Sequence, residues 1–369
     1  MSKPYVLYGW HLSYFSGKTR AYLNYKRVPF VDQPVDALTL LWRAPRKTGA
    51  KVMPVVVTPE GEWLQDTKVI ADVIEQRFPQ GAVLPASPRQ RIAALLLEAW
   101  ADEWWIPLAM QYRWIHPENY PLFERDAGNA LLPGFPGFLK RRMAAYVAST
   151  LRGYLPSVGV VPKQYEVQAR WTENMLDALD RHFTDLPFLF GHCPSVADFA
   201  LYGPLYGHLS RDPYPRRVLV EPRPHLKAWV ERMTTTQCGQ GSFLPDDELP
   251  DTLQPLFDAV FREFYPMVSG IRDEVRKALP SLRSPGSRLP RMLGTIEFPM
   301  GTGRYRRGAM PYTLWMIQRV LDAYRALDAQ GRAAVDAWTR DQGLPEAMRF
   351  DLGARLKRVG LHVALDRAA

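Results

Sequence analysis

Apolar and polar positions change their rhythm along this chain, and the change divides it. Residues 5–9, Tyr-Val-Leu-Tyr-Gly, are strand-like, and Lys18 to Arg27 read as a helix stopped by Val28-Pro29. Val52 to Val57 and Glu62 to Asp66 read as two short strands joined at Pro59-Glu60-Gly61. A helix follows with Val69, Ile70, Val73, Ile74 and Phe78 on one face, ended by Pro79. The predicted order is β-α-(β-α)-β-β-α, the bracketed pair resting on the weakest pattern. From Arg89 the signals turn helical. Leu97, Trp100, Trp104 and Leu108 recur at spacings of three and four, and residues 165–185 carry Val167, Trp171, Met175, Leu176 and Leu179. Ser195-Val196-Ala197-Asp198 has the form of a capping box, so a helix is predicted to start there.

Prolines mark one joint between Phe78 and Pro88, and Gly239 to Pro250 marks a second, softer one. The predicted division is residues 1–80, 89–239 and 240–369. No repeat is evident. In the last part, Leu253, Leu256, Phe257, Val260, Phe261 and Phe264 form one apolar helical face, and Leu314, Ile317, Leu321 and Tyr324 another. Between them lie the Pro- and Ser-containing stretch from Pro280 to Pro290 and a predicted hairpin around Met300 to Gly303. Faces this apolar require burial, so this part is expected to pack on the helical domain.

Composition narrows the classes. With 369 residues, 47% hydrophobic and 23% charged, the chain is ordinary globular material rather than a disordered or collagen-like one. Cys193 and Cys238 are the only cysteines, which excludes a disulfide framework or a cysteine zinc site, and the seven histidines show no paired ligand spacing, so no metal is expected. No window approaches the ~18 apolar residues of a membrane span, and the N-terminus has no leader-like stretch, so a cytoplasmic location is expected. The net charge of +9 invites a nucleic-acid partner, yet the basic excess is spread through all three parts with no stripe or tail. Steering of small anions is the fairer reading, and no nucleic-acid partner is expected.

The order of elements resembles a soluble glutathione transferase: an α+β fold with a thioredoxin-like N-terminal domain and an all-α domain, here with a further mainly helical extension. Four features carry the likeness. Ser13-Tyr14-Phe15-Ser16-Gly17-Lys18-Thr19-Arg20 is similar to the active-site turn of the Ser/Cys-type classes. Met53-Pro54 resembles the family's cis-proline, Asp66-Thr67 the acidic-hydroxyl pair opening its third helix, and Leu189 to Asp198 its capping-box region.

A transferase of this kind must hold a thiol as thiolate at neutral pH, although a free thiol titrates near 8.5 and is only a few per cent ionised at pH 7. The resemblance implies Ser13 as the hydroxyl that stabilises the sulfur, with Ser16 as the alternative; a plain helix cap is the competing reading of either. With serine at both places there is no Cys-x-x-Cys pair for disulfide exchange. The resemblance further implies that Met53, preceding Pro54, pairs through its backbone with the cysteinyl part of glutathione. Asp66 and Thr67 would hold the γ-glutamyl end and Lys51 the glycyl carboxylate. Tyr14, Trp104, Trp105 and Tyr112 would line a pocket for a hydrophobic acceptor, against which stands the reading that aromatics at helical spacing are core. The implied activity is glutathione-dependent transfer by a homodimer, with glutathione as co-substrate. A non-catalytic scaffold of the same fold is the alternative. Arg304, Arg306 and Arg307 read either as a solvated turn or as a receptor for an anion.

Overall fold

A computed structural model describes residues 3–281 and 286–366. Part of the Pro280–Pro290 stretch therefore lies outside the described residues. The chain runs β1 (Tyr5–Gly9), α1 (Tyr14–Tyr25), β2 (Phe30–Pro34), α2 (Ala44–Thr48), β3 (Val55–Val57), β4 (Trp63–Gln65) and α3 (Thr67–Arg77). There follow α4 (Pro88–Ile115), α5 (Tyr120–Leu131), α6 (Gly137–Gly153), α7 (Tyr165–Asp185), α8 (Val196–Pro204), the three-residue α9 (Pro213–Pro215) and α10 (Pro224–Thr235). The last part holds α11 (Gln254–Ala259), α12 (Tyr265–Ala278), β5 (Thr295–Met300), β6 (Gly303–Gly308), α13 (Tyr312–Arg325), α14 (Ala329–Asp341), β7 (Leu356–Val359) and β8 (His362–Leu365). No helix is long and apolar enough to cross a membrane among these residues.

The chain separates into two compact units that interleave along the sequence, one made of residues 1–82, 109–155 and 198–241, the other of 83–108, 156–197 and 242–369. The division departs from the predicted one. Residues 89–239 are shared between the units, and the C-terminal residues fold together with 83–108 and 156–197.

In the first unit the sheet order is β2-β1-β3-β4, with β1 parallel to β2 and antiparallel to β3. Leu7, Val55, Val56 and Leu64 of the sheet and Leu23, Ile70 and Ile74 of α1 and α3 are almost wholly buried, which is where the alternating and helical apolar positions meet. Gly9 is a required glycine: a Cβ there would stand 2.8 Å from Ser16 Oγ, so α1 can approach β1 only with no side chain at that point. The α5–α6 hairpin packs its small residues Ala127, Ala144 and Ala148 in one cluster with Trp10, Leu12 and Val35.

In the second unit, Trp104 lies 5.6 Å from Trp171 and 5.3 Å from Phe298 between ring centroids, so the C-terminal hairpin shares a core with α4 and α7. That hairpin, β5–β6, turns at Gly301 and Thr302 with Met300 opposite Gly303. Glu263 fixes the turn, accepting from the Gly301 N–H and from Trp171 Nε1, each at 2.6 Å. Gln318 does the same for β7, donating to the Leu356 carbonyl and accepting from its N–H, both at 2.8 Å.

Candidate functional site

Strand register assembles the site in the first unit. Tyr8 of β1 stands opposite Val55 of β3, and Val55 opposite Gln65 of β4. The three segments that leave the sheet at this row are therefore neighbours: the turn after Gly9 that leads to Ser13, the Met53-Pro54 approach to β3, and Asp66-Thr67 after β4. Two interstrand steps span about 10 Å, which is roughly the reach of an extended tripeptide.

Ser13 is the N-cap of α1, extended in backbone (φ −95°, ψ 127°), and its Oγ accepts from the Ser16 N–H at 3.3 Å. That bond uses a lone pair and leaves the hydroxyl proton to donate. The cap also sits where the first-turn N–H groups give the helix its positive end. Met53-Pro54 is a cis peptide, and Met53 is partly buried against the Trp10 cluster. Asp66 caps α3 by accepting from the Lys68 N–H at 2.8 Å, with φ at +85°, a conformation that side-chain-bearing residues avoid. Such an outlier is tolerated at roughly 1–3 kcal/mol and concentrates at ligand clamps. Thr67, half-buried, takes the first helical position, where an N–H has no intrahelical acceptor. Lys51 is exposed in the loop before the cis-proline.

Several expected residues are elsewhere. Ser16 is completely buried, its Oγ turned to β1 beside Gly9, so it serves close packing rather than an open cleft. Tyr14 is 6% exposed and lies edge-on to His208 at 6.0 Å, and Tyr112 is 4% exposed and stacks on His116. Trp104 and Trp105 are core residues of the second unit, at 1% and 0% exposure. All four are buried; a large apolar ring on a helix gains more from full burial than from a half-wet cavity wall.

What stands beside Ser13 instead was not evident in the sequence. Arg113, 5% exposed, pairs with Asp212 through Nε at 2.8 Å and Nη2 at 3.1 Å. It also donates to the Leu12 carbonyl at 2.7 Å and to the Gly207 carbonyl, clamping the residue before Ser13. Gly207 lies so close that a Cβ there would be 3.2 Å from the Ser13 carbonyl group. His11 Nδ1 meets Tyr206 Oη at 3.3 Å, and burial pushes the His11 imidazole below its usual pKa, with the Arg20 charge acting in the same direction. Tyr206 in turn lines a cavity of about 430 Å³ together with Leu122, Arg211, Val220 and Val230. Only the local motif Trp10-His11-Leu12-Ser13 could have pointed to His11; Arg113 and Tyr206 meet it from far along the chain.

No cluster of three or more His, Cys, Asp or Glu residues suited to a metal ion occurs among the described residues.

A four-stranded sheet of this order, a cis-proline before β3 and helix caps at one sheet end define a thioredoxin-like domain, and helices make up the rest of the first unit. Residues 7–82 match the profile of the glutathione S-transferase N-terminal domain, and residues 163–232 that of the glutathione S-transferase C-terminal domain. These two segments, fewer than half of the residues, carry the domain signatures of the glutathione S-transferase family.

Several solved structures are similar to this chain at low identity. A glutathione S-transferase from Methylobacterium radiotolerans, in complex with glutathione sulfonate, is 21% identical over 63% of this chain and 90% of its own, with a TM-score of 0.39. The β-etherase LigF from Sphingobium is 18% identical over 63% and 95%, TM-score 0.40. FzlA from C. crescentus is 19% identical over 63% and 88%, TM-score 0.40. Among curated proteins, none matches the chain.

Proposed function

We propose that the chain is a glutathione-dependent transferase in which the Ser13 hydroxyl stabilises the glutathione thiolate. The observation that carries this reading is the Ser13 cap: an oxygen already fixed by the Ser16 N–H, with its own proton left to donate at the positive end of α1. A hydrogen bond to an ionised sulfur is charge-assisted and shifts the thiol towards thiolate. The thiolate then attacks an electrophilic carbon; the new carbon–sulfur bond forms as the leaving group departs with its bonding pair or, at a double bond, as the π pair moves to the far atom, which takes a proton from solvent.

The glutathione cradle follows the sheet edge. Met53 offers its backbone to the cysteinyl unit, Thr67 offers its N–H and hydroxyl to the γ-glutamyl carboxylate, Asp66 meets the ammonium, and Lys51 meets the glycyl carboxylate. For the acceptor, the cavity lined by Tyr206, Leu122, Val220 and Val230 together with charged residues such as Arg211, Lys227 and Glu231 replaces the buried aromatics, because Tyr206 adjoins Gly207 and so the Ser13 backbone. A hydrophobic acceptor, a homodimer and a cytoplasmic location go with this reading.

Calorimetric titration with reduced glutathione tests it. Saturable binding by the wild-type protein that is lost in Thr67→Ala and Asp66→Ala, with folding intact, supports the cradle. Absence of binding by the wild-type protein favours the non-catalytic scaffold.

A further inference from the structure

The second unit contains a cavity of about 440 Å³, within the range of small-molecule sites, and lined by residues of the segment 156–164 and of the C-terminal part. Its charged lining is Lys163, Arg306 and Arg307, with no carboxylate side chain among the lining residues, and its apolar wall includes Val161, Met292 and Leu293. Lys163 and Arg306 are exposed at its surface, whereas Arg307 is 3% exposed.

Arg307 is the unusual member. Its Nη1 donates to the Glu103 carbonyl at 3.1 Å and its Nη2 to Met310 Sδ at 3.0 Å, both uncharged acceptors and the second a weak one. The Glu103 carboxylate accepts from Thr313 and acts electrostatically on Arg307. Burial pushes the guanidinium below its ordinary pKa, and the Glu103 charge acts in the opposite direction.

The walls are also fixed in place. Gln164 Nε2 donates to the Gly159 and Arg306 carbonyls at 2.7 and 2.9 Å, and its Oε1 accepts from the Arg306 N–H at 2.7 Å. Tyr305 Oη donates to the Val158 carbonyl at 2.9 Å. On the other side, the Leu293 N–H bonds the Ala309 carbonyl and the Ala309 N–H the Gly294 carbonyl, each at 2.9 Å. A cavity held by hydrogen bonds on both sides needs little ordering when a ligand enters.

We propose that this cavity binds a small organic carboxylate with an apolar body, its carboxylate received by Arg307, Arg306 and Lys163 and its body lying on Val161, Met292 and Leu293. The proposal stands apart from the glutathione reading, because it uses neither Ser13 nor any residue of that cradle.

Calorimetric titration of the full chain with octanoate tests it, with 1-octanol and inorganic phosphate as comparison probes. Octanoate is expected to bind saturably, one per chain, to survive an excess of reduced glutathione, and to weaken as salt is raised. Arg306→Glu and Lys163→Glu, at exposed positions, are each expected to weaken it roughly tenfold or more, the scale of a lost charged hydrogen bond. Arg307→Gln is expected to weaken it further, and if that variant fails to fold, the two exposed variants decide. The proposal is overturned by absence of octanoate binding, by octanol or phosphate binding as tightly as octanoate, by displacement with glutathione, or by charge reversals that leave the affinity unchanged.

Discussion

At the scale of single residues, two buried groups carry testable consequences. Arg113 is the junction between the residue before Ser13 and the segment around Gly207 and Asp212. Arg113→Met would strand the Asp212 carboxylate in the interior and release the Leu12 carbonyl. Loss of one partner of a buried pair typically destabilises by about 3–5 kcal/mol, so urea unfolding is expected to move to lower denaturant by an amount of that order. His182 is the second group: Thr252 Oγ1 lies 2.7 Å from its Nδ1 and the Phe188 carbonyl 3.2 Å from its Nε2, an arrangement that suits one neutral tautomer. Burial lowers its pKa to about 4. Between about 6.5 and 4 the unfolded chain takes up the proton and the folded chain does not, so stability present above pH 6.5 is lost as the pH falls through this window. A shift of this size corresponds to roughly 3 kcal/mol. Unfolding curves at pH 7 and pH 4 should differ less in His182→Gln than in the wild-type protein by about that amount.

At the scale of elements, the cavity wall in the second unit depends on one glycine. Gly159 has φ +84°, and a Cβ there would lie 2.4 Å from the Arg306 carbonyl oxygen and 2.6 Å from Tyr305 Oη. Gly159→Ala adds a disfavoured backbone conformation to a clash with main chain, and a loss above about 2 kcal/mol in a thermal or denaturant melt is expected. Legibility in the sequence also varied by element. Helix α7 runs Tyr165–Asp185, the span its periodicity predicts, because a wide apolar face meets a buried core. The α5–α6 hairpin gave no comparable signal: its contact face is made of small residues such as Ala127, Gly128, Ala144 and Ala148, while Phe138 and Tyr146 point outward at 62% and 68% exposure. The caps formed by Ser13 and Asp66, and the helix start at Thr67, were readable because caps and turns are written locally. Arg113 and Tyr206 were not, because their partners lie up to 195 residues away in sequence. The aromatic stripe of α4 misled in the other direction, since spacing alone does not separate a core ring from a pocket wall.

At the scale of the whole molecule, the C-terminal residues are not an appendage to a complete second unit. They supply Phe298 beside Trp104 and Glu263 beneath Trp171, so a chain ending at residue 241 leaves the rings of α4 and α7 without their cover. Burial of one Phe side chain alone is worth about 1.5–3 kcal/mol. The truncated chain is therefore expected to lose cooperative thermal unfolding and to bind a hydrophobic dye, and a soluble truncation with an unchanged melt would contradict this. The same fact explains why the division seen in composition differs from the division in space: proline-rich joints mark where helices end, not which helices share a core.

The central claim concerns the ionisation of a bound thiol, and an ultraviolet titration of glutathione on the protein reads it directly. With the wild-type protein, the thiol of bound glutathione is expected to ionise below the free value of about 8.5, and in Ser13→Ala the bound thiol should return towards that value while glutathione still binds. A bound thiol that titrates as in free solution, or one whose pKa is the same in both proteins, would contradict the assignment of Ser13 as the group that holds the thiolate.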